Sequence, residues 1–340
     1  KCKIVDMRIN IPIKVCTLAL LIGASVGLAQ KPPERPKVHS DFTFGSYPVS
    51  RDAINLMSKD KIRYMAVAFH EGWSFDKVGK ELKMTDDEVD RLFSELDTEK
   101  LAKLDQYNDP EPNLLVIREK DIEKLKSTLQ KHSQEFTDII AGNWSQIEGM
   151  AASLTGASGV PKDELMYEIV VAGILLGGMN DVFFEDKTLV PPGPRRGRGQ
   201  SYYAWLAEGD PRNAGLVKRE QSQSDTYTIV TVGPTLSVVR PSMNELRSGK
   251  AMILDEAESR RMRSFVAIFC KDKLLPYFKS KRNEMMKVGA QMSGGKYTAF
   301  GEFLAWYYNQ IANNAVDEIV AAKRMKPPAD QYAFAVKTLQ

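Results

Sequence analysis

The residue types able to do chemistry are few and widely spaced in this chain. There are three histidines, His39, His70 and His132, and three cysteines, Cys2, Cys16 and Cys270. A zinc-binding helix needs a second imidazole one turn after the first, and His70-Glu71 has none. Periodicity puts His132 on the exposed side of a long helix, and His39 falls in a proline-bearing linker. Gly23-Ala24-Ser25-Val26-Gly27 matches the hydrolase nucleophile elbow by letter. It lies inside an apolar leader-like segment, so no active-site meaning attaches to it. In Gly294-Gly295-Lys296-Tyr297-Thr298 the spacing is wrong for a phosphate loop, and Tyr297 stands where Ser or Thr is needed. Carboxylates are abundant, but runs such as Asp121-Ile122-Glu123-Lys124 read as solvated helix faces. A glycosidase-like pair would have to converge from distant positions. No catalytic residue, metal ligand or cofactor is assigned, and the balance leans against an enzyme.

One segment invites contact with a charged partner. Leu189 to Gln200, LVPPGPRRGRGQ, carries three prolines and three glycines. Those residues disfavour regular structure and predict a mobile loop. On it Arg195, Arg196 and Arg198 would face an anion, an acidic partner or membrane headgroups; the alternative is a solvated connector.

The N-terminus predicts an address. Lys1, Lys3, Arg8 and Lys14 precede the apolar run Val15 to Val26, which fits the hydrophobic region of a secretory signal. Gly27 and Ala29 then occupy the minus-three and minus-one positions of a cleavage site between Ala29 and Gln30, with Met7 read as the start. An uncleaved anchor is the other reading. Either way the basic flank stays inside and the rest is exported, to the periplasm or beyond.

That reading changes the charge and the redox expectations. The whole chain has 47 Lys and Arg against 44 Asp and Glu. The predicted leader holds four of the basic residues and one acid, so the remainder is balanced and has no global attraction for polyanions. Cys270 alone survives cleavage, so no internal disulfide forms. It sits in the apolar stretch Phe265 to Leu275 and reads as a small buried hydrophobe. Hydrophobic residues at 43% and charged residues at 27% fit a globular chain and exclude a multispanning membrane protein.

Helical signals begin at Arg51 to Ser58 and Asp60 to Glu71, the latter with Ile62, Met65, Ala66 and Phe69 on one face. Ser74 caps Phe75 to Leu82, and Thr85 caps Asp86 to Leu96. Two strands follow, Leu101 to Asp105 and Leu114 to Ile117, across a turn containing Asn108, Asp109, Pro110, Glu111 and Pro112. A long helix then runs from Lys120 to Ile140.

From Asp60 to Ile140 this order of elements resembles the winged helix-turn-helix of MarR-like and ArsR-like bacterial regulators. The resemblance implies that the helix after Thr85 would enter a major groove, with the hairpin touching the backbone. The residues oppose that use. Asp86, Asp87, Glu88, Asp90, Glu95, Asp97 and Glu99 face only Arg91 and Lys100, a local charge of about minus five. Such a face repels phosphates. A packing or protein-contact module, with a homodimer through it as a further possibility, is the reading favoured over DNA binding.

Downstream, Ala151 to Gly159 reads as a loop, and Pro161 opens a helix from Lys162 to Leu176 stopped by Gly177-Gly178. Strand signals at Tyr202 to Ala207, Leu216 to Glu220, Tyr227 to Val232 and Leu236 to Val239 predict a small antiparallel sheet. Helix returns over Ala251 to Phe269, is broken by Pro276, and resumes in Lys279 to Met286 and Ala299 to Lys323.

The expected organisation is a signal peptide (1–29), a linker (30–50), a winged helix-like domain (51–150), a mixed helical domain with a small sheet (160–328) and a tail (329–340). The fold class is α+β, mainly helical. The expected function is an exported envelope protein that binds or scaffolds an unidentified protein or envelope component, without a transmembrane span in the mature chain. The alternatives are an exported hydrolase with a non-contiguous site and a DNA-binding regulator.

Overall fold

A computed structural model describes residues 41–214, 218–224, 226–233, 241–248, 251–292, 300–327 and 332–337. Over these residues the chain is mainly helical α+β. In order the elements are β1 (Phe42–Tyr47), α1 (Arg51–Met57), α2 (Asp60–His70), α3 (Phe75–Leu82), α4 (Asp86–Thr98), β2 (Ala102–Leu104), β3 (Pro110–Pro112) and β4 (Leu115–Ile117). Then come α5 (Glu119–Gly142), α6 (Trp144–Ala152) and α7 (Lys162–Tyr167), continued by a π-helical stretch (Glu168–Gly178) into α8 (Met179–Glu185). The remainder is β5 (Tyr203–Glu208), β6 (Lys218–Ser224), β7 (Tyr227–Gly233), α9 (Met243–Ser248), β8 (Ile253–Leu254), α10 (Glu256–Phe269), a π turn (Cys270–Leu274), α11 (Leu275–Ala290), α12 (Phe300–Ala321) and β9 (Tyr332–Lys337).

The molecule is organised around a three-stranded sheet in the order β1-β5-β4, with β1 antiparallel and β4 parallel to β5. Side chains alternate across a strand, so the two faces bury different sets. Phe42, Phe44, Val116, Tyr202, Ala204 and Leu206 pack with α1 to α4. Tyr47, Leu115, Ile117, Tyr203, Trp205 and Ala207 pack with α5 and the C-terminal helices. One sheet therefore serves two cores, and α5 belongs to the second. The expected domain boundary near residue 150 lies well past this division.

Two arginines fasten the layers together. Arg118, just before α5, donates to Glu208 at the end of β5 over 2.8 and 3.2 Å and to Glu71 after α2. Arg196 is only 3% exposed. It donates to the carbonyls of Asn113 (2.8 Å), Tyr202 (3.0 Å) and Lys100, and pairs with Glu302 of α12. A buried guanidinium is tolerable when its N–H groups are satisfied and a carboxylate faces it.

Several expectations change here. Residues 42–47 form β1 rather than linker, because both faces of this strand find a core. The hairpin pairs β2 with β3, so Pro110, Glu111 and Pro112 are strand and not turn. Leu115–Ile117 instead joins the central sheet, where all three residues are buried. Tyr203–Glu208 sits in that sheet too, apart from the second sheet β6-β7-β9-β8. The expected tail supplies β9, a central strand of this second sheet. Leu236 to Val239 lies outside the described residues.

Neither predicted helix break holds. The chain stays helical through Gly177 and Gly178, because a Cβ on Gly178 would sit 2.5 Å from Val266 Cγ1 and 2.6 Å from Cys270 Sγ. Glycine there answers a close helix contact. Pro276 stands in the first turn of α11, where a missing N–H is tolerated, directly after the π turn. Lys162–Phe183 is long and apolar enough to cross a membrane, but 76% of its most apolar window is buried inside the molecule, as in a core helix.

Candidate functional site

The π-helical stretch and the π turn meet, and their widened turns shape the ground beside a cleft. A π turn bonds each N–H five residues back and tips carbonyls out of line. Ile174 O takes the Met179 N–H and also the Cys270 thiol at 3.6 Å, while Leu175 O takes the Tyr308 hydroxyl at 2.5 Å. Burial raises the Cys270 thiol well above its ordinary pKa, with Asp181 adding to the effect, so it is inert and packs as expected.

The cleft beside this contact has a volume of about 370 Å³. That is the lower end of the range for small-molecule sites. One wall is the small-residue side of the π stretch, Ala172, Gly173 and Gly177. The second is α10, through Ser259, Met262, Arg263 and Val266. The third is the second sheet, where Thr228 pairs with Val336 and Val230 with Phe334, so all four share a face. Gly173 is what keeps the first wall close, since a Cβ there would come within 3.2 Å of Met262 Cε.

The polar edge of the cleft is connected. Arg263 Nη2 donates to Ser259 Oγ at 3.0 Å, and Ser259 donates to the carbonyl of Lys337 at 3.1 Å. Among the described residues no carboxylate pairs with Arg263. Asp181 is the one carboxylate lining the cleft among the described residues, and it is already engaged. Past Gly178 and Ala267 an adjoining hollow of about 590 Å³ continues toward Lys187 and Lys271. There Asp186 is held by Lys279 at 2.6 Å, and its pKa is lowered to about 2, chiefly by that bond and by Thr188.

The residues singled out from sequence do not gather here. Arg195 is exposed on a β-bridge with Ser201, and Arg198 is exposed and pairs with Asp52 at 3.1 Å. Arg196 is committed inside the protein, so the segment is pinned rather than mobile and offers two outward arginines instead of three. Its backbone is pinned as well, by Arg196 N–H to Gln200 O at 2.8 Å. Ala29 and Gln30 lie outside the described residues.

His132 is a correction of another kind. It is fully buried, with Nδ1 3.0 Å from the Tyr307 hydroxyl and Nε2 3.2 Å from Glu284 Oε1. Burial lowers its pKa despite Glu284, so the ring is neutral near pH 7. An imidazole with no exposed surface meets no substrate; it ties α5 to α11 and α12. Glu168 is a second buried group that periodicity missed. Its Oε2 has no hydrogen-bond partner, and burial, reinforced by Glu164, pushes its pKa up to about 8.

Sequence reasoning also missed Arg263 and Lys271. They stand eight residues apart with Ala267 between them, two helical turns on one stripe. That spacing was the available signal, but its meaning depends on β9, which read as tail. No family model, curated protein or solved structure matches the chain.

Proposed function

We propose that this chain is an exported envelope protein that binds a small molecule, with its N-terminal unit acting as a packing and protein-contact module. The cleft between the π stretch, α10 and the second sheet carries this reading: it is concave, mostly apolar and edged by fixed polar groups. A thermal-shift screen against small amphipathic compounds tests it, with Val336→Trp placed to fill the cleft. Ligands that stabilise the wild type and not the variant support binding there. A screen without any such ligand, or hits that turn over as esters or glycosides, would replace this reading with scaffold or hydrolase.

The winged helix reading of the N-terminal unit rests on the succession α2, α3, α4 and the β2–β3 hairpin. Ser74 and Thr85 cap the two short helices by accepting from Lys77 N–H (3.4 Å) and Glu88 N–H (3.3 Å). Two acids of α4 point inward to its neighbour, Glu88 to Lys61 and Glu95 to Lys59, both at 2.7 Å. Asp86, Asp87 and Asp90 remain exposed, a poor surface for a duplex. The hairpin exposes Leu104 and Tyr107, which suits contact with protein, either a partner or a second copy. Salt-dependent duplex binding would overturn this use of the unit. Export predicts a mature N-terminus at Gln30, checked by N-terminal sequencing of the envelope fraction; cytosolic protein starting at Met7 would remove it.

A further inference from the structure

We infer that the cleft takes an amphiphile with an anionic head, its apolar body against the second sheet and its head along the basic stripe that runs from α10 into the π turn. The inference rests on the small-molecule reading above and adds the class of ligand.

Two facing apolar walls place the body. Val230, Phe334 and Val336 present one continuous sheet face to Met262 and Val266 across the cleft. Filling such a gap removes apolar surface from water on both sides.

Charge places the head. Arg263 of α10 and Lys271 of the π turn flank Ala267 on the side that lines the two hollows, with Lys187 opposite in the second. No carboxylate pairs with any of these three among the described residues. Asp186 is neutralised by Lys279, which leaves Asp181 as the one carboxylate against these three cations among the described residues lining the two hollows. The surplus is therefore positive where the apolar cleft opens. Arg263 is already oriented by Ser259, which is fully buried and fixed to Lys337 O. An oriented guanidinium suits a carboxylate or a phosphate, which it can meet with two parallel bonds.

Isothermal titration of the full chain with decanoate, decyl phosphate, decanol and decyltrimethylammonium, each below its micelle concentration, tests the inference. Decanoate and decyl phosphate should bind about tenfold or more tightly than decanol, and the cation least. Whichever anion binds tighter identifies the head as carboxylate or phosphate. Arg263→Gln with Lys271→Gln changes two exposed side chains, so folding is retained. It should remove the advantage of both anions and leave decanol unchanged. Equal binding of anion and alcohol, or anion binding indifferent to the double variant, overturns the anionic head while leaving the cleft as a site. Decanol binding that Val336→Trp does not weaken overturns the cleft itself.

Discussion

The two sides of the central sheet are built on different rules. On the α1 to α4 side, α1, α3 and α4 bury one stripe each and carry their own caps, as Ser50, Ser74 and Thr85 do, while α2 is the helix buried over a continuous run, Met65 to Phe69. On the other side, the π stretch and α12 are buried around much of their circumference. In α12, Phe303, Leu304, Ala305, Trp306, Tyr307 and Tyr308 are all below 1% exposed in succession. The first side is specified locally. The second is specified by what each helix meets, and among the described residues only there do a proline and π turns appear inside helical runs. The cleft belongs to the second side, where close helix approach leaves a gap that local preference would not create.

The contrast can be broken at its joint. Glu302→Ala leaves the Arg196 guanidinium buried without its carboxylate, which should cost about 3–5 kcal/mol and uncouple the two cores. Urea unfolding followed by Trp73 on one side and Trp306 on the other would read this as two separated transitions; a single unshifted transition would show that the bolt is dispensable.

A pH measurement separates the sides next. The folded pKa of Glu168, about 8, stands above its ordinary 4.5. The folded state thus keeps a proton that the unfolded chain has released, and stability falls as pH rises from about 4.5 to about 8. Glu302, raised to about 7 by burial, adds to the same slope. Glu168→Gln should flatten the decline and make the variant the more stable form at pH 8, by up to a few kcal/mol. Parallel pH curves for the two proteins would rule out a buried, protonated Glu168.

Smaller effects compare packing with capping. Gly178→Val forces a side chain into the contact with Val266 and Cys270 and should cost about 1–3 kcal/mol, read as a lowered Tm. Thr85→Ala removes a cap and should cost about 1 kcal/mol, with faster amide exchange confined to the start of α4. If the Gly178 variant were neutral, the glycine would be a tolerated accident rather than a requirement of the helix crossing.

This difference also explains what could be read in advance. The helices α1 to α5 were legible because an apolar period runs through each, joined in α3 and α4 by the capping residues Ser74 and Thr85. The central sheet was not, since β1 looks like linker until β5 lies beside it, and β4 looks like half of a hairpin until Trp205 and Leu206 pair with it. Gly177-Gly178 and Pro276 are ordinary helix breakers by local rules, and tertiary contact overrode both. His132 was placed by the period of α5 alone, while α12 covers it. The cleft was invisible for the same reason: its walls come from three stretches of chain far apart in sequence.

Strand β1 and its partner meet through Gly45 and Trp205, about 160 residues apart. The loop closed by that pairing is long, so the ordering entropy must be met before the contact returns anything, which slows folding. A fragment ending before Tyr202 would have its early helices but lack Tyr202, Ala204 and Leu206 from their core. Such a chain would expose sticky surface while it waits, and inside a cell it would need a chaperone's shelter until the middle strand arrived.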